Sequence, residues 1–213
     1  MADFSALIEG YRRFRETGWV HERERWSSLA EGQNPRVMII ACSDSRVDPA
    51  QIFETGPGEI FVVRNVANLV PPCEARAGGR HGVSAALEFA VTQLEVSDVV
   101  VIGHESCGGC AAALTGQFDR ADQGEGHFIA DWIELLGEAR EKVRASCGDS
   151  LSPEAFLAME LEGVRASLAN LRTFPWVSAR EADGRLTLHG AYFSIVEGVL
   201  HLLDEASGEF RPV

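Results

Sequence analysis

Three short, nearly unbroken apolar runs constrain the fold most: Val37 to Ala41, Ile60 to Val63 and Asp98 to Ile102. A strand with one face in water alternates apolar and polar residues; these do not, so both faces of each must be covered. Segments of helical character separate them, Pro49 to Glu54 after the first run and Gly78 to Leu94 after the second. Strands joined by helical crossovers run parallel. The expected fold is therefore α/β, a doubly wound and mainly parallel sheet with strand order 2-1-3 at its core.

Downstream, Glu125 to Ala145 and Pro153 to Leu171 read as long helices. Leu186, Leu188 and Tyr192, then Val199 to Leu203 beyond Gly198, read as C-terminal strands added in antiparallel fashion. Upstream, Phe4, Leu7, Ile8, Tyr11 and Phe14 recur at helical spacing, which predicts an amphipathic helix over residues 3–16. A more polar helix follows from Glu22 to Ala30 and stops ahead of Gly32 and Pro35. With no repeat or proline-rich linker, the reading is a single domain over 1–213, an N-terminal helical arm of 1–34 and an α/β core of 35–213. The apolar stripe of the arm needs a cover, from its own core or from a second copy of the chain.

The longest apolar run, Val37 to Cys42, has six residues, whereas a bilayer-spanning helix needs about 20. A formal net charge of -13 repels nucleic acid phosphates and anionic lipid surfaces alike, so neither is an expected partner. Met1 to Arg15 mixes acidic and spaced apolar residues and lacks the pattern of a secretory signal, which makes a cytoplasmic location the expectation. Five cysteines, an odd number, then favour metal binding or thiol chemistry over a disulfide framework.

The first strand run leads into Cys42-Ser43-Asp44-Ser45-Arg46, and the third into Gly103-His104-Glu105-Ser106-Cys107-Gly108-Gly109. In order 2-1-3 these strands are neighbours, and their carboxyl ends flank the switch point where α/β sheets bind ligands. Cys42, His104 and Cys107 can then meet as two thiolates and an imidazole, a zinc ligand set with an open fourth position suited to catalysis. Gly108 and Gly109 keep side chains from blocking close approach. Asp44 has two exclusive options: it fills the fourth metal position, or it turns to Arg46 and leaves that position to water. Paired with Arg46 it stays ionised and can accept a hydrogen bond from the nucleophile. Cys107-Gly108-Gly109-Cys110 also has redox Cys-x-x-Cys spacing, a reading that leaves Cys42, Asp44 and His104 without roles. The remaining histidines, and Cys73, Cys110 and Cys147, are expected to be ordinary surface or packed residues.

These two motifs resemble those of the β-class carbonic anhydrases, and the likeness extends through Arg64-Asn65-Val66-Ala67-Asn68 and the helix from Gly82 to Val91. The resemblance implies zinc, one ion per chain, on Cys42, His104 and Cys107, with Asp44 and Arg46 as catalytic pair. It implies reversible hydration of carbon dioxide to bicarbonate and a proton by zinc-bound hydroxide. Position by position it further implies a substrate pocket of Gln33, reaching across a dimer interface, with Phe61, Val66 and Phe89 as apolar walls. The amide of Gln33 or the backbone amide of Gly108 would bond the oxygen that becomes negative. At the position of Phe89 plant-type members commonly carry Tyr. The subgroup with a second, inhibitory bicarbonate pocket has Trp three residues before the first metal cysteine, where this chain has Ile39, although Arg64 is retained. The resemblance therefore implies the constitutively open, plant-type-like site, and a homodimer or higher even-numbered homo-oligomer. Two alternatives share the same residues: hydrolysis of carbonyl sulfide or carbon disulfide, and a non-catalytic zinc- or bicarbonate-binding protein. An intact Asp44 and Arg46 speak against the second, because a closed site has no use for them.

Overall fold

The computed structural model describes residues 3–74, 81–119 and 125–213, and the chain divides into two compact units, Met1–Asn34 and Pro35–Val213. In the first unit, α1 (Phe4–Glu16) is capped by Asp3, whose carboxylate accepts the Ala6 N–H at 2.9 Å. The polar helix expected next is two pieces, α2 (Gly18–His21) and α3 (Arg23–Leu29). Phe14 meets Trp26 edge-on at 5.8 Å, which ties α1 to α3. The stripe of α1 is exposed at Phe4, Leu7 and Tyr11.

The second unit begins with β1 (Val37–Cys42), α4 (Pro49–Ile52), β2 (Ile60–Asn65), α5 (Gly82–Glu88) and β3 (Asp98–His104). It continues through α6 (Gly108–Thr115), α7 (His127–Ile133), α8 (Gly137–Cys147), α9 (Pro153–Leu171) and α10 (Pro175–Ala182). It closes with β4 (Thr187–Ser194), β5 (Val199–Asp204) and β6 (Glu209–Pro212). The six strands of the described residues form one sheet in the order β2-β1-β3-β4-β5-β6, with the 2-1-3 core expected from the apolar runs.

One expectation needs correction. The strand containing Leu188 and Tyr192 is parallel to β3, pairing Asp98 with Thr187 and His104 with Phe193; antiparallel addition starts only at β5 and continues with β6. The connection from β3 through α6 to α10 returns the chain to the amino end of the sheet, and a crossover of that length permits parallel pairing. The acidic stretch Asp204 to Glu209 is a turn between β5 and β6, with the Asp204 carboxylate accepting the Ala206 N–H at 3.0 Å.

Helix boundaries follow local chemistry. Ser152 caps α9 through the Ala155 N–H at 3.3 Å, with Pro153 in the first turn, and the helix spans the predicted residues. The segment expected as one helix over 125–145 breaks at a 3-10 turn, Glu134–Leu136, before Gly137. The helix expected over 78–94 is α5 followed by a π-helical turn at Phe89–Gln93; residues 78–80 lie outside the described residues.

The runs of β1 and β3 are covered on both faces, whereas β2, at the edge of the sheet, is only half-buried and leaves Val62 exposed, so the double cover expected for it from its apolar run is not met. Met38, Ile40, Val99 and Val101 are fully buried in a cluster with Leu87, Val91, Val164 and Leu168, while Ile39, Ala41, Ile102 and Ala191 form a smaller cluster of their own. Gly103 lets β3 lie directly against α9: a Cβ there would come within 2.7 Å of Val164 Cγ2. Ala41 pairs with Ile102, so Cys42 and His104 emerge side by side at the carboxyl edge.

Candidate metal centre

Cys42 ends β1, His104 ends β3, and Cys107 precedes α6 as its cap residue. Their ligand atoms all lie within 4.8 Å of one another, and all three residues are buried. The sulfurs are 4.0 Å apart. Two Zn–S bonds of about 2.3 Å opened to a tetrahedral angle place their sulfurs roughly 3.8 Å apart, so the spacing fits the ion. His104 supplies a stronger sign. Its Nδ1 bonds the Glu105 carbonyl oxygen at 2.9 Å, which puts the proton on Nδ1, while the buried Nε2 has no hydrogen-bond partner among the described residues. A buried nitrogen with a free lone pair, oriented from its other side by a carbonyl, is how a metal-ligating imidazole is prepared.

Asp44 and Arg46 lie beside this group. Arg46 Nε and Nη2 donate to the two Asp44 carboxylate oxygens at 2.9 and 2.7 Å, and the Arg46 backbone N–H adds a third bond at 2.9 Å. Of the two options open to Asp44, the structure has it turned to Arg46. These hydrogen bonds hold the carboxyl well below the usual carboxylate range, against the opposing effect of burial. Arg46 Nη2 also donates to the Ser106 carbonyl at 3.0 Å, which fastens the pair to the turn carrying Cys107.

Two supporting residues had no assigned structural task in the sequence. Arg64, noted as part of the likeness and as retained from another pattern but given no task, wraps the loop after β1: it donates to the carbonyls of Cys42 at 2.9 Å and Asp44 at 2.6 Å and to the Asp48 carboxylate at 3.0 Å. Glu160 of α9 is buried and accepts the Cys107 N–H at 3.0 Å and the Tyr192 O–H at 2.9 Å, and burial pushes its carboxyl up. A signal for Glu160 existed. It sits in the inward stripe of α9 with Gly163, Val164, Ser167 and Leu171, where an acid has to find donors.

The glycines of the second motif differ in their reasons. A Cβ on Gly109 would lie 2.7 Å from Val66 Cγ1 and 2.9 Å from the Ala67 Cβ, so the close approach is real there; a Cβ on Gly108 would meet open space. Ala67 itself is left-handed at φ 63°, and Trp132 Nε1 pins the neighbouring Val66 carbonyl at 2.8 Å. Of the expected apolar wall, Val66 and Phe89 are 38% and 45% exposed, and the Phe61 ring lies 6.0 Å from that of Phe89. This wall is borne by β2, an edge strand, by the 3-10 turn Val66–Asn68 that follows it, and by the turn after α5. Gln33 belongs to the first unit and is described with it.

A family model described as carbonic anhydrase matches residues 37–200. Beta carbonic anhydrase 3 of Arabidopsis thaliana is 34% identical over 196 residues, which cover 92% of this chain and 75% of that protein. The chain belongs to the β-carbonic anhydrase family. Chloroplastic beta carbonic anhydrase 5 of the same plant is also 34% identical, over 91% of this chain and 62% of its own length. Among solved structures, the β-carbonic anhydrase CcaA superposes with a TM-score of 0.90 at 32% identity, covering 98% of this chain and 91% of that one. One of two tetrameric β-carbonic anhydrases from Sordaria macrospora gives 0.81 at 28% identity, covering 94% of this chain and 96% of that one.

Zinc is the cofactor of β-carbonic anhydrases, and the donor set of Cys42, His104 and Cys107 suits it. Without a cation, two adjacent buried thiols cannot both ionise. The Cys42 thiol is pushed up to about 12 by its hydrogen bond with Cys107 and by burial, and the Cys107 thiol to about 12 by its hydrogen bond with Cys110 and by burial. Metal uptake must then displace a proton from each thiol, and a third wherever His104, whose pKa is raised against the opposing effect of burial by Cys42 beside it and by its bond to the Glu105 backbone, is protonated. Zinc affinity is expected to climb by at least about 100-fold per pH unit from pH 6 to 8, and more steeply at the acid end where His104 also gives up a proton, measured by competition with a chelator of known affinity. A climb of only tenfold would mean that one thiol is already ionised. All five cysteines are free, including Cys110 of the Cys-x-x-Cys spacing.

Proposed function

We propose that the chain catalyses the reversible hydration of carbon dioxide to bicarbonate and a proton, with Cys42, His104 and Cys107 as zinc ligands and Asp44 and Arg46 as the catalytic pair. One observation carries the reading: two thiols and a prepared imidazole nitrogen meet at adjacent strand ends, next to a carboxylate gripped through both oxygens by one guanidinium. Zinc held there supplies a Lewis acid that makes water a strong nucleophile near neutral pH.

The chain's own groups do the rest. Arg46 keeps Asp44 ionised and turned from the metal position, so a carboxylate oxygen accepts the proton of the attacking water's O–H in a hydrogen bond and aims its lone pair at carbon. Gly108 opens α6, and the first amides of a helix have no partner within it, so this N–H is free to donate to the substrate oxygen that gains charge. Phe61, Val66 and Phe89 offer an apolar wall that suits a linear, non-polar gas and displaces water from it. Because that wall stands at an exposed sheet edge, we read the pocket as completed by a second copy of the chain, whose Gln33 amide donates the second hydrogen bond. A homodimer or larger even-numbered assembly follows from this reading, in line with the tetrameric relatives of Sordaria macrospora. The arm of residues 1–34 and the core of 35–213 then work as one domain. No helix of the described residues is long and apolar enough to cross a membrane.

Stopped-flow hydration of carbon dioxide by the zinc-loaded protein tests the reading. A rate no higher than that of buffer would leave a zinc-binding protein without catalysis. In the same experiment Gln33→Ala is expected to lower kcat/KM by about 100- to 1,000-fold, the scale of one lost donor at a developing oxyanion. An unchanged value would remove Gln33 from the pocket.

A further inference from the structure

Glu160 is 5% exposed, a carboxylate sunk into the face of α9 that supports the metal turn. Its Oε1 accepts the Cys107 N–H at 3.0 Å and its Oε2 accepts the Tyr192 O–H at 2.9 Å. The Cys107 N–H and the Ser106 carbonyl are the two ends of one peptide unit, and that carbonyl accepts Arg46 Nη2 at 3.0 Å. A single peptide plane is thus clamped from both sides, by a carboxylate at its N–H and by a guanidinium at its oxygen. Ser106 stands at φ 59°, a left-handed conformation that a residue with a side chain keeps only when its surroundings enforce it. A peptide whose N–H is bound to a carboxylate also has a more negative oxygen, which strengthens its bond to Arg46.

We propose that Glu160 is a positioning residue of the centre: through the Ser106–Cys107 peptide it sets both the Cys107 ligand and the Arg46–Asp44 pair, with Tyr192 holding it in register. Tyr192 comes from β4 and Glu160 from α9, so the clamp joins the site to two elements that carry neither ligand nor catalytic pair. The kinetic part rests on the carbonic anhydrase reading; the metal-holding part does not.

The test compares wild type, Glu160→Gln and Tyr192→Phe in zinc-loaded and cobalt-substituted forms. Circular dichroism checks the fold, and zinc transfer to EDTA and the visible spectrum of bound cobalt report the ligand field directly. Glu160→Gln is expected to keep the fold and one metal per chain. It should release zinc about 10- to 100-fold faster, shift the cobalt bands and lower kcat with KM held. Tyr192→Phe should move each readout the same way by less. A Glu160→Gln protein with wild-type zinc release and cobalt spectrum would overturn the proposal whatever its activity. If that variant does not fold, Tyr192→Phe decides on the same two readouts. An inactive wild type with these metal effects intact would sink the catalytic reading and leave the positioning role standing.

Discussion

Cys107→Ser is expected to strip the chain of zinc and to bring carbon dioxide hydration down by roughly 10^3-fold or more, to the level of buffer. Cys107 is 1% exposed, and its sulfur stands 4.0 Å from that of Cys42. Two thiolates balance the double charge of the ion in this buried place; a serine hydroxyl keeps its proton at neutral pH and leaves the ion with one unit of charge unmatched. The oxygen is also smaller than sulfur, so it cannot reach the same point from the same backbone. The fold is expected to survive, because Cys107 contributes one small side chain to a cluster that also holds Leu69, Leu114, Leu136 and Met159. Elemental analysis and stopped-flow rates on the same samples check the result, with half-buried Cys147→Ser as a control expected to keep one zinc per chain. A Cys107→Ser protein with full zinc and the wild-type rate would end the metal-centre assignment.

The second large effect belongs to Asp44→Asn, for which kcat is expected to fall by about 100-fold or more while zinc content stays at one per chain. The amide keeps the size of the carboxylate but not its charge, so it gives up the bidentate ion pair with Arg46 and becomes a poor proton acceptor for water. The pH dependence follows in sign. Hydrogen bonds from Arg46 hold the Asp44 carboxyl well below its ordinary value of about 3.9, so the stabilisation from this pair is fully present above that value. It is lost only as the pH falls through the lower value of the folded state. Asp44 is ionised wherever the enzyme is assayed, and an acid limb near neutrality belongs to another group. Asp44→Asn is therefore expected to lower the plateau of the pH–rate profile and retain its acid limb. A flat profile in the variant would assign the limb to Asp44.

Much of the site was legible because its chemistry is local. His104 and Cys107 are three residues apart on one turn, Asp44 and Arg46 two apart on another, and each cluster directly follows an apolar run that can only be a doubly covered strand. Once the runs at 37 and 98 are neighbours, the ligands have no other place to go. The same locality made α9 legible, from the Ser152 cap and Pro153 through its inward stripe. What escaped was carried by distant partners. The direction of the strand at Thr187–Ser194 depends on where the intervening helices, α6 to α10 among the described residues, deliver the chain, and the short hairpin that follows it invited an antiparallel reading. Arg64 reaches the loop 22 residues earlier, and Glu160 reaches the Cys107 amide across 53 residues. Neither pairing leaves a mark in the spacing of nearby residues.

By itself, then, the sequence determined the strand-and-crossover plan, the candidate donors Cys42, His104 and Cys107 and the placement of Asp44 and Arg46 beside them, since each is written in the periodicity or spacing of a few consecutive residues. Only the tertiary structure decided that Asp44 faces Arg46, that the imidazole presents Nε2, and that a buried glutamate and an arginine brace the two turns. Those outcomes are hydrogen bonds whose donors and acceptors become neighbours only when the sheet and α9 close on one another.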